Sequence, residues 1–203
     1  MTLTSTLTLT LTGMNGYIYL QAVPVRAEAG DRAEMVNQLL SGDTVEVLER
    51  GEKWSLVQGV YDGYRGWVDN KQYVPFDTAA DLAEGLFLGT PYLWGGRWTG
   101  GIDCSGLTQV CFKAKGIWLP RDASQQAAAG VEVCPCDIQR DDLAFFHNAE
   151  GRVVHVGICM GDGRIIHASG EVRIDTLDSR GILVEKSGTY SHRLSGIRRI
   201  AGS

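Results

Sequence analysis

Near residue 76 the apolar residues of this chain change their period, and that switch limits the possible folds more than any other feature. Up to about residue 75 they come in short runs, 16–20, 43–48, 54–60 and 64–68, rich in aromatic and β-branched side chains. Gly30, Gly42, Gly51 and Asp62-Gly63 punctuate the runs. Short strands divided by glycine turns, with no long helical period, predict a small β-barrel. Trp54 and Trp67 are expected at the centre of its core. Pro75 should end the last strand, which gives a first domain at 1–75 and a second at 76–203.

Beyond Asp77 the spacing of Leu82, Leu86 and Leu88 predicts an amphipathic helix over 77–88. A loop rich in glycine and aromatics, PYLWGGRWTGGID, leads into a second helix at 104–115. Asp103 is its expected N-cap, Leu107, Val110, Cys111 and Ala114 its buried stripe, and Gly116 its C-terminal stop. A third helix is expected over 122–129, followed by strands at 143–147, 153–160, 164–168, 172–176 and 196–200. Helices first and strands afterwards predict an α+β layout.

Composition narrows the partners. The 203 residues carry a net charge of -5, which argues against a nucleic-acid ligand. No apolar run is long enough for a membrane span. Residues 1–12, MTLTSTLTLTLT, read as a strand, or as a disordered leader if they find no partner. The absence of a basic, apolar leader predicts a cytoplasmic setting, or a periplasmic or extracellular one if a leader has been removed. Five cysteines, an odd number, predict reduced thiols rather than a disulfide framework.

Cys104 opens the second helix directly after Gly95, Gly96, Gly100 and Gly101. A helix start offers unpaired N–H groups and the positive end of a dipole, both of which favour a thiolate. Beside a histidine, such a thiol is expected to titrate below the ~8.5 of free cysteine. The same N–H groups can hold an oxyanion. By position alone Cys104 also fits a buried, inert residue, as Cys111 does on the same helix.

A base must come from four histidines. His155 lies in RVVHVGICM and His167 in RIIHAS, joined across Gly161-Asp162-Gly163. If Met160 pairs with Arg164, Gly157 faces His167 and His155 lies diagonally from it on the same face. A slip of one residue puts the rings on opposite faces, and the turn permits either register. Each histidine alone reads as structural. Together, behind a helix-start cysteine, they read as a base, His155, and the residue that orients it, His167. His147 and His192 carry no such argument. Cys134-Pro135-Cys136 lacks a zinc spacing by itself, and neither a metal nor a cofactor is expected.

In order and spacing, YLWGG, DCSGL, LPRDASQQ, LAFF and HVGICMGDGRIIHAS resemble the NlpC-type cell-wall cysteine peptidases, over roughly residues 80–200. The stretch before them resembles the bacterial SH3-like domain that often precedes such peptidases. The resemblance implies a papain-like catalytic domain, with helices packed on an antiparallel sheet, behind a small SH3-like β-barrel. It implies a γ-D-glutamyl-L-diamino acid endopeptidase acting on peptidoglycan stem peptides, in particular those with a free N-terminal L-alanine. Catalytic roles then fall on Cys104, His155 and His167, with Tyr92 assisting the oxyanion. Substrate contacts fall on Tyr64, Glu34, Asp103, Ser105, Arg121 and Asp122. Relatives commonly carry Ser after the Arg-Asp pair. Ala123 here touches one hydrogen bond to substrate, not the chemistry. A monomer is expected. Three other functions stay open: a non-catalytic peptidoglycan-binding module, an amidase or acyltransferase on the same scaffold, and a redox or zinc protein using the Cys134–Cys136 pair.

Overall fold

The structure is a computed structural model that describes residues 10–200, so the reading of 1–12 lies largely outside the described residues. The chain divides into two compact units after Asp77.

The first unit holds β1 (Thr10–Tyr17), β2 (Ala22–Arg26), β3 (Met35–Leu40), β4 (Thr44–Arg50), β5 (Trp54–Gly59), β6 (Arg65–Asp69) and β7 (Val74–Phe76). They pair antiparallel in the order β3-β2-β6-β5-β4-β1-β7. Strands β2 and β3 were not expected, because Pro24 and the irregular MVNQLL run break the alternation that marks a strand. The core consists of Ile18, Val23, Val25, Leu39, Val45, Val47, Val57, Val68 and Tyr73. Trp54 and Trp67 are not at its centre, contrary to expectation. Strand alternation turns Ser55, Val57 and Val68 inward and leaves both tryptophans half-buried on the other side. Pro75 sits within β7 rather than after a strand. At a sheet edge its missing N–H costs little, and the strand runs on to Phe76, opposite Asn15.

The second unit begins with α1 (Ala79–Leu82), whose cap Thr78 forms a reciprocal capping box with Asp81. The helix expected over 77–88 then loosens into a π-helical turn, Ala83–Phe87. After the short pair β8 (Arg97–Trp98) and β9 (Gly101–Ile102) come α2 (Cys104–Ala114) and α3 (Ala123–Gln126), the latter shorter than expected. Then follow β10 (Val131–Glu132), β11 (Leu143–His147), β12 (Val153–Cys159), β13 (Arg164–Ser169), β14 (Glu171–Asp178), β15 (Gly181–Val184) and β16 (Thr189–Arg199). Asp141 ties the sheet to the helices. Its carboxylate accepts the Ala79 and Ala80 N–H groups, each at 2.9 Å, and Lys115 Nζ at 2.8 Å.

Strand β16 is longer than expected and pairs with both β11 and β15, so β11 to β16 close on themselves. One face of that barrel carries Ala144, Phe146, Cys159, Ile165, Leu177, Ile182 and Ile197. Side chains alternate along a strand, so His155, Gly157 and His167 share this face with Cys159 and Ile165. Gly157 pairs with His167, which is the even register.

Candidate active site

Asp103 starts α2 as its N-cap and holds Cys104 in place. Its Oδ1 accepts Gly106 N–H at 2.7 Å and its Oδ2 accepts Gly95 N–H at 2.8 Å, joining the helix start to the preceding loop. Arg121 Nη1 donates to Oδ1 at 2.9 Å and to Ser105 Oγ at 2.9 Å, while Nη2 donates to Oδ2. A carboxylate offers about four lone-pair sites, so the protein's own donors already fill Asp103. Burial pushes its carboxyl up, but Arg121 and the two N–H groups outweigh burial and hold it below the usual carboxylate range.

Tyr92, Asp103, Cys104, Ser105, Arg121 and Asp122 line one cleft of about 660 Å³. All six were singled out from sequence. Trp94, 85% exposed on the same cleft, was not. Tyr64 and Glu34 lie in the first unit, both exposed to solvent.

The two histidines meet. His155 Nε2 lies 2.9 Å from His167 Nδ1, the diagonal contact that the register allows. Gly157 makes this possible. A Cβ at that position would stand 2.9 Å from the His167 Cβ and 2.7 Å from Ile165 Cδ1. Two further residues complete the cluster, and sequence reasoning missed both. His167 Nε2 lies 3.1 Å from Asp175 Oδ2, and the His192 ring stacks on His155 with centroids 4.2 Å apart. Asp175 follows from the logic already used for His155: the turn at Gly170 pairs His167 with Arg173 and places Asp175 on the diagonal. No local pattern signals His192, because only barrel closure brings it there.

The resting protonation state differs from the one the helix start suggested. Burial pushes the Cys104 thiol up, the Val156 N–H pulls it down, and the neighbouring Asp103 charge raises it again; the net result lies above the ordinary value. Burial likewise pushes His155 well below its ordinary value, helped by His192, His167 and Arg173. Burial thus favours the neutral form of both the Cys104 thiol and the His155 imidazole. Among the described residues, no hydrogen bond joins the Cys104 sulfur to either ring. The link to β12 is the Val156 N–H, one residue beyond His155, directed at the sulfur.

Cys134 and Cys136 are joined in a disulfide, which corrects the expectation of five free thiols. A single intervening residue already keeps the two sulfurs close, and the odd count concealed the pair.

Acid should loosen this fold. Burial lowers His167 to about 4, although Asp175 opposes the shift. Between ~6.5, the value for free histidine, and 4, the unfolded chain binds a proton that the folded one refuses, so stability falls as pH falls. His167 alone should cost about 3 kcal/mol across that window. Urea midpoints at pH 7, 5.5 and 4.5 should trace this fall, and His167→Gln should flatten it by a similar amount.

A cysteine thus stands at a helix start, lining a cleft and held by the N–H of the residue after a strand-borne histidine. Residues 89–188 match the NlpC/P60 family, and residues 25–72 match the bacterial dipeptidyl-peptidase Sh3 domain. The chain belongs to the NlpC/P60 family, with a bacterial SH3 domain before its NlpC/P60 domain. It is 38% identical over 160 residues to a gamma-D-glutamyl-L-lysine dipeptidyl-peptidase of Bacillus cereus, covering 74% of this chain and 47% of that protein. A Bacillus subtilis protein of the same name is 40% identical over 126 residues, covering 60% of this chain and 41% of the relative. The chain thus spans under half the length of either relative. The crystal structure of an NlpC/P60 family protein from Bacillus cereus superposes with a TM-score of 0.56 at 26% identity, covering 92% of this chain and 63% of that one.

Proposed function

We propose that the chain is a cysteine endopeptidase that cuts the bond between γ-D-Glu and the diamino acid of peptidoglycan stem peptides. The observation that carries this reading is Cys104 at the start of α2, in the cleft and held by the Val156 N–H of β12. That strand bears His155, which is itself coupled to His167 on β13. The names of the two Bacillus relatives support the bond class. A helix-borne thiol set against strand-borne imidazoles is a papain-like arrangement.

His155 takes the thiol proton as the Cys104 sulfur attacks the γ-glutamyl carbonyl, and the new C–S bond pushes the carbonyl electrons onto oxygen. The Cys104 N–H and the Tyr92 hydroxyl hold that oxyanion. As it collapses, the C–N bond breaks and His155 passes the proton to the leaving amine, which gives a thioester. Water, deprotonated by His155, then releases the acid and restores the thiol. Proton transfer from a neutral thiol, rather than a standing ion pair, agrees with the resting protonation of both groups. A sulfur and a base that join only on substrate binding are common in empty sites.

Substrates with a free N-terminal L-alanine fit best. Their ammonium requires acceptors, and Asp122, on the wall of the cleft, is proposed to supply one. Asp103 and Ser105 instead hold Arg121. Mass spectrometry of digests of L-Ala-γ-D-Glu-L-Lys and its diaminopimelate counterpart should find the dipeptide L-Ala-γ-D-Glu. N-acetylated peptides should be cut far more slowly. Release of a different fragment, or no cleavage of any stem peptide, would overturn the assignment.

A further inference from the structure

We propose that Asp175 is a positioning residue that fixes which nitrogen of His155 is free to accept the thiol proton. The proposal rests on reading Cys104 as the nucleophile.

Asp175 is buried, and its carboxylate meets three groups, two of them at Oδ2. Arg173 Nε donates to that oxygen at 2.8 Å, and His167 Nε2 stands 3.1 Å away. The other oxygen, Oδ1, takes the Glu185 N–H at 3.3 Å. Burial pushes the carboxyl up, yet His167 and Arg173 outweigh it and keep it ionised. An ionised carboxylate can only accept hydrogen bonds. His167 must therefore carry its proton on Nε2, because a lone pair there would face a negative oxygen.

The rest follows along the chain of contacts. A neutral imidazole has one N–H and one lone pair, so a proton on His167 Nε2 leaves His167 Nδ1 as an acceptor. That acceptor lies 2.9 Å from His155 Nε2, which must then be the N–H of its ring. The lone pair of His155 is left on Nδ1. A single charge, two rings away from the reacting atoms, thus decides where the base is basic.

The other charged and titratable groups around the array do not impose this order. Arg173 can only donate, and it already meets Asp175 and the Ser169 carbonyl. His192 lies against the face of the His155 ring, with an interplanar angle of 21°, so it offers no in-plane partner to either nitrogen. The Nδ1 of His192 is engaged by Ser191 Oγ at 2.8 Å. Asp175 also helps once His155 has taken the proton, since its charge stabilises a cation passed along the two rings.

Asp175→Asn tests the idea, because it keeps the shape while allowing an N–H to point at His167. Nitrogen-15 NMR of the labelled wild-type protein at neutral pH should find both His155 and His167 as Nε2–H tautomers. In Asp175→Asn, His167 should shift toward the Nδ1–H form, and kcat/KM should fall about 100-fold or more. The acid limb of the pH–rate profile, set by protonation of His155, should also move to lower pH. A Tm close to wild type would separate this outcome from a folding defect. Wild-type His155 with its proton on Nδ1 would overturn the proposal without any variant. So would an Asp175→Asn protein that keeps wild-type tautomers and rate. Neither result depends on which peptide is the substrate, so this inference can fail while Cys104 stands as the nucleophile.

Discussion

Replacing Cys104 with alanine should lower cleavage of a free L-Ala-γ-D-Glu-L-Lys peptide by about 10⁴-fold or more. Without the sulfur no thioester can form, and the remaining oxyanion donors and cleft supply only residual catalysis. The fold should survive, because the side chain is small and α2 keeps its Asp103 cap. Serine at this position should be nearly as inactive, since a hydroxyl gives up its proton far less readily than a thiol. A neutral alkylating agent offers an independent check. Cys111 and Cys159 are fully buried, with thiols pushed up by burial, that of Cys159 to about 12. Cys134 and Cys136 are paired, which leaves Cys104 as the thiol that iodoacetamide should label. Its labelling rate should climb through the alkaline range rather than plateau near pH 6, because burial and the Asp103 charge oppose the thiolate. Undiminished turnover by Cys104→Ala would end the peptidase reading. An inert Cys104 in a wild type without turnover would point to a peptidoglycan-binding module.

A second large effect is expected at a residue with no functional group. Gly157→Val should destabilise the fold by about 1–3 kcal/mol through overpacking. It should also cut kcat/KM by about 100-fold, the scale of a catalytic group displaced by ~1 Å. The cause lies in the pairing of β12 with β13. Gly157 stands directly opposite His167, and the empty space above it lets the His167 ring lean toward the diagonal His155. A valine would fill that space, pressing on His167 and Ile165. Gly157→Ala should show the same trend in weaker form. Differential scanning calorimetry and peptide kinetics on both variants would separate the two effects. An alanine variant with wild-type rate and Tm would remove the steric argument.

Local chemistry was legible in the sequence wherever neighbouring residues decide the outcome. Asp103 before Cys104 specified a helix start, Gly116 its end, and the Gly161–Gly163 turn a hairpin, so the cysteine could be set at the head of a helix and both histidines on adjacent strands before any coordinates. The even register could not be chosen in advance, because the turn fits either pairing and only burial of one face selects between them. Long-range closure was less visible. Nothing in TYSHRLSGIRR states that it pairs on both sides, so His192 gave no signal. The tryptophans misled for a related reason. Size suggested a core role for Trp54 and Trp67, but alternation in β5 and β6 gave the inner face to smaller residues. Helix-start chemistry was also overread at Cys104. The N–H groups are present, yet the cost of burying a charge exceeds their pull.

The closure of the barrel by β16 bears on how the protein is made. Cys104, His155, His167 and Asp175 all leave the ribosome before Thr189, so the wall against which His155 rests is synthesised after all four of them. A nascent chain therefore carries the full set of reactive groups while the ring of strands is still open to water. The His155 ring gains its stacking partner His192 only once β16 has been made, so the order of translation delays completion of the cluster.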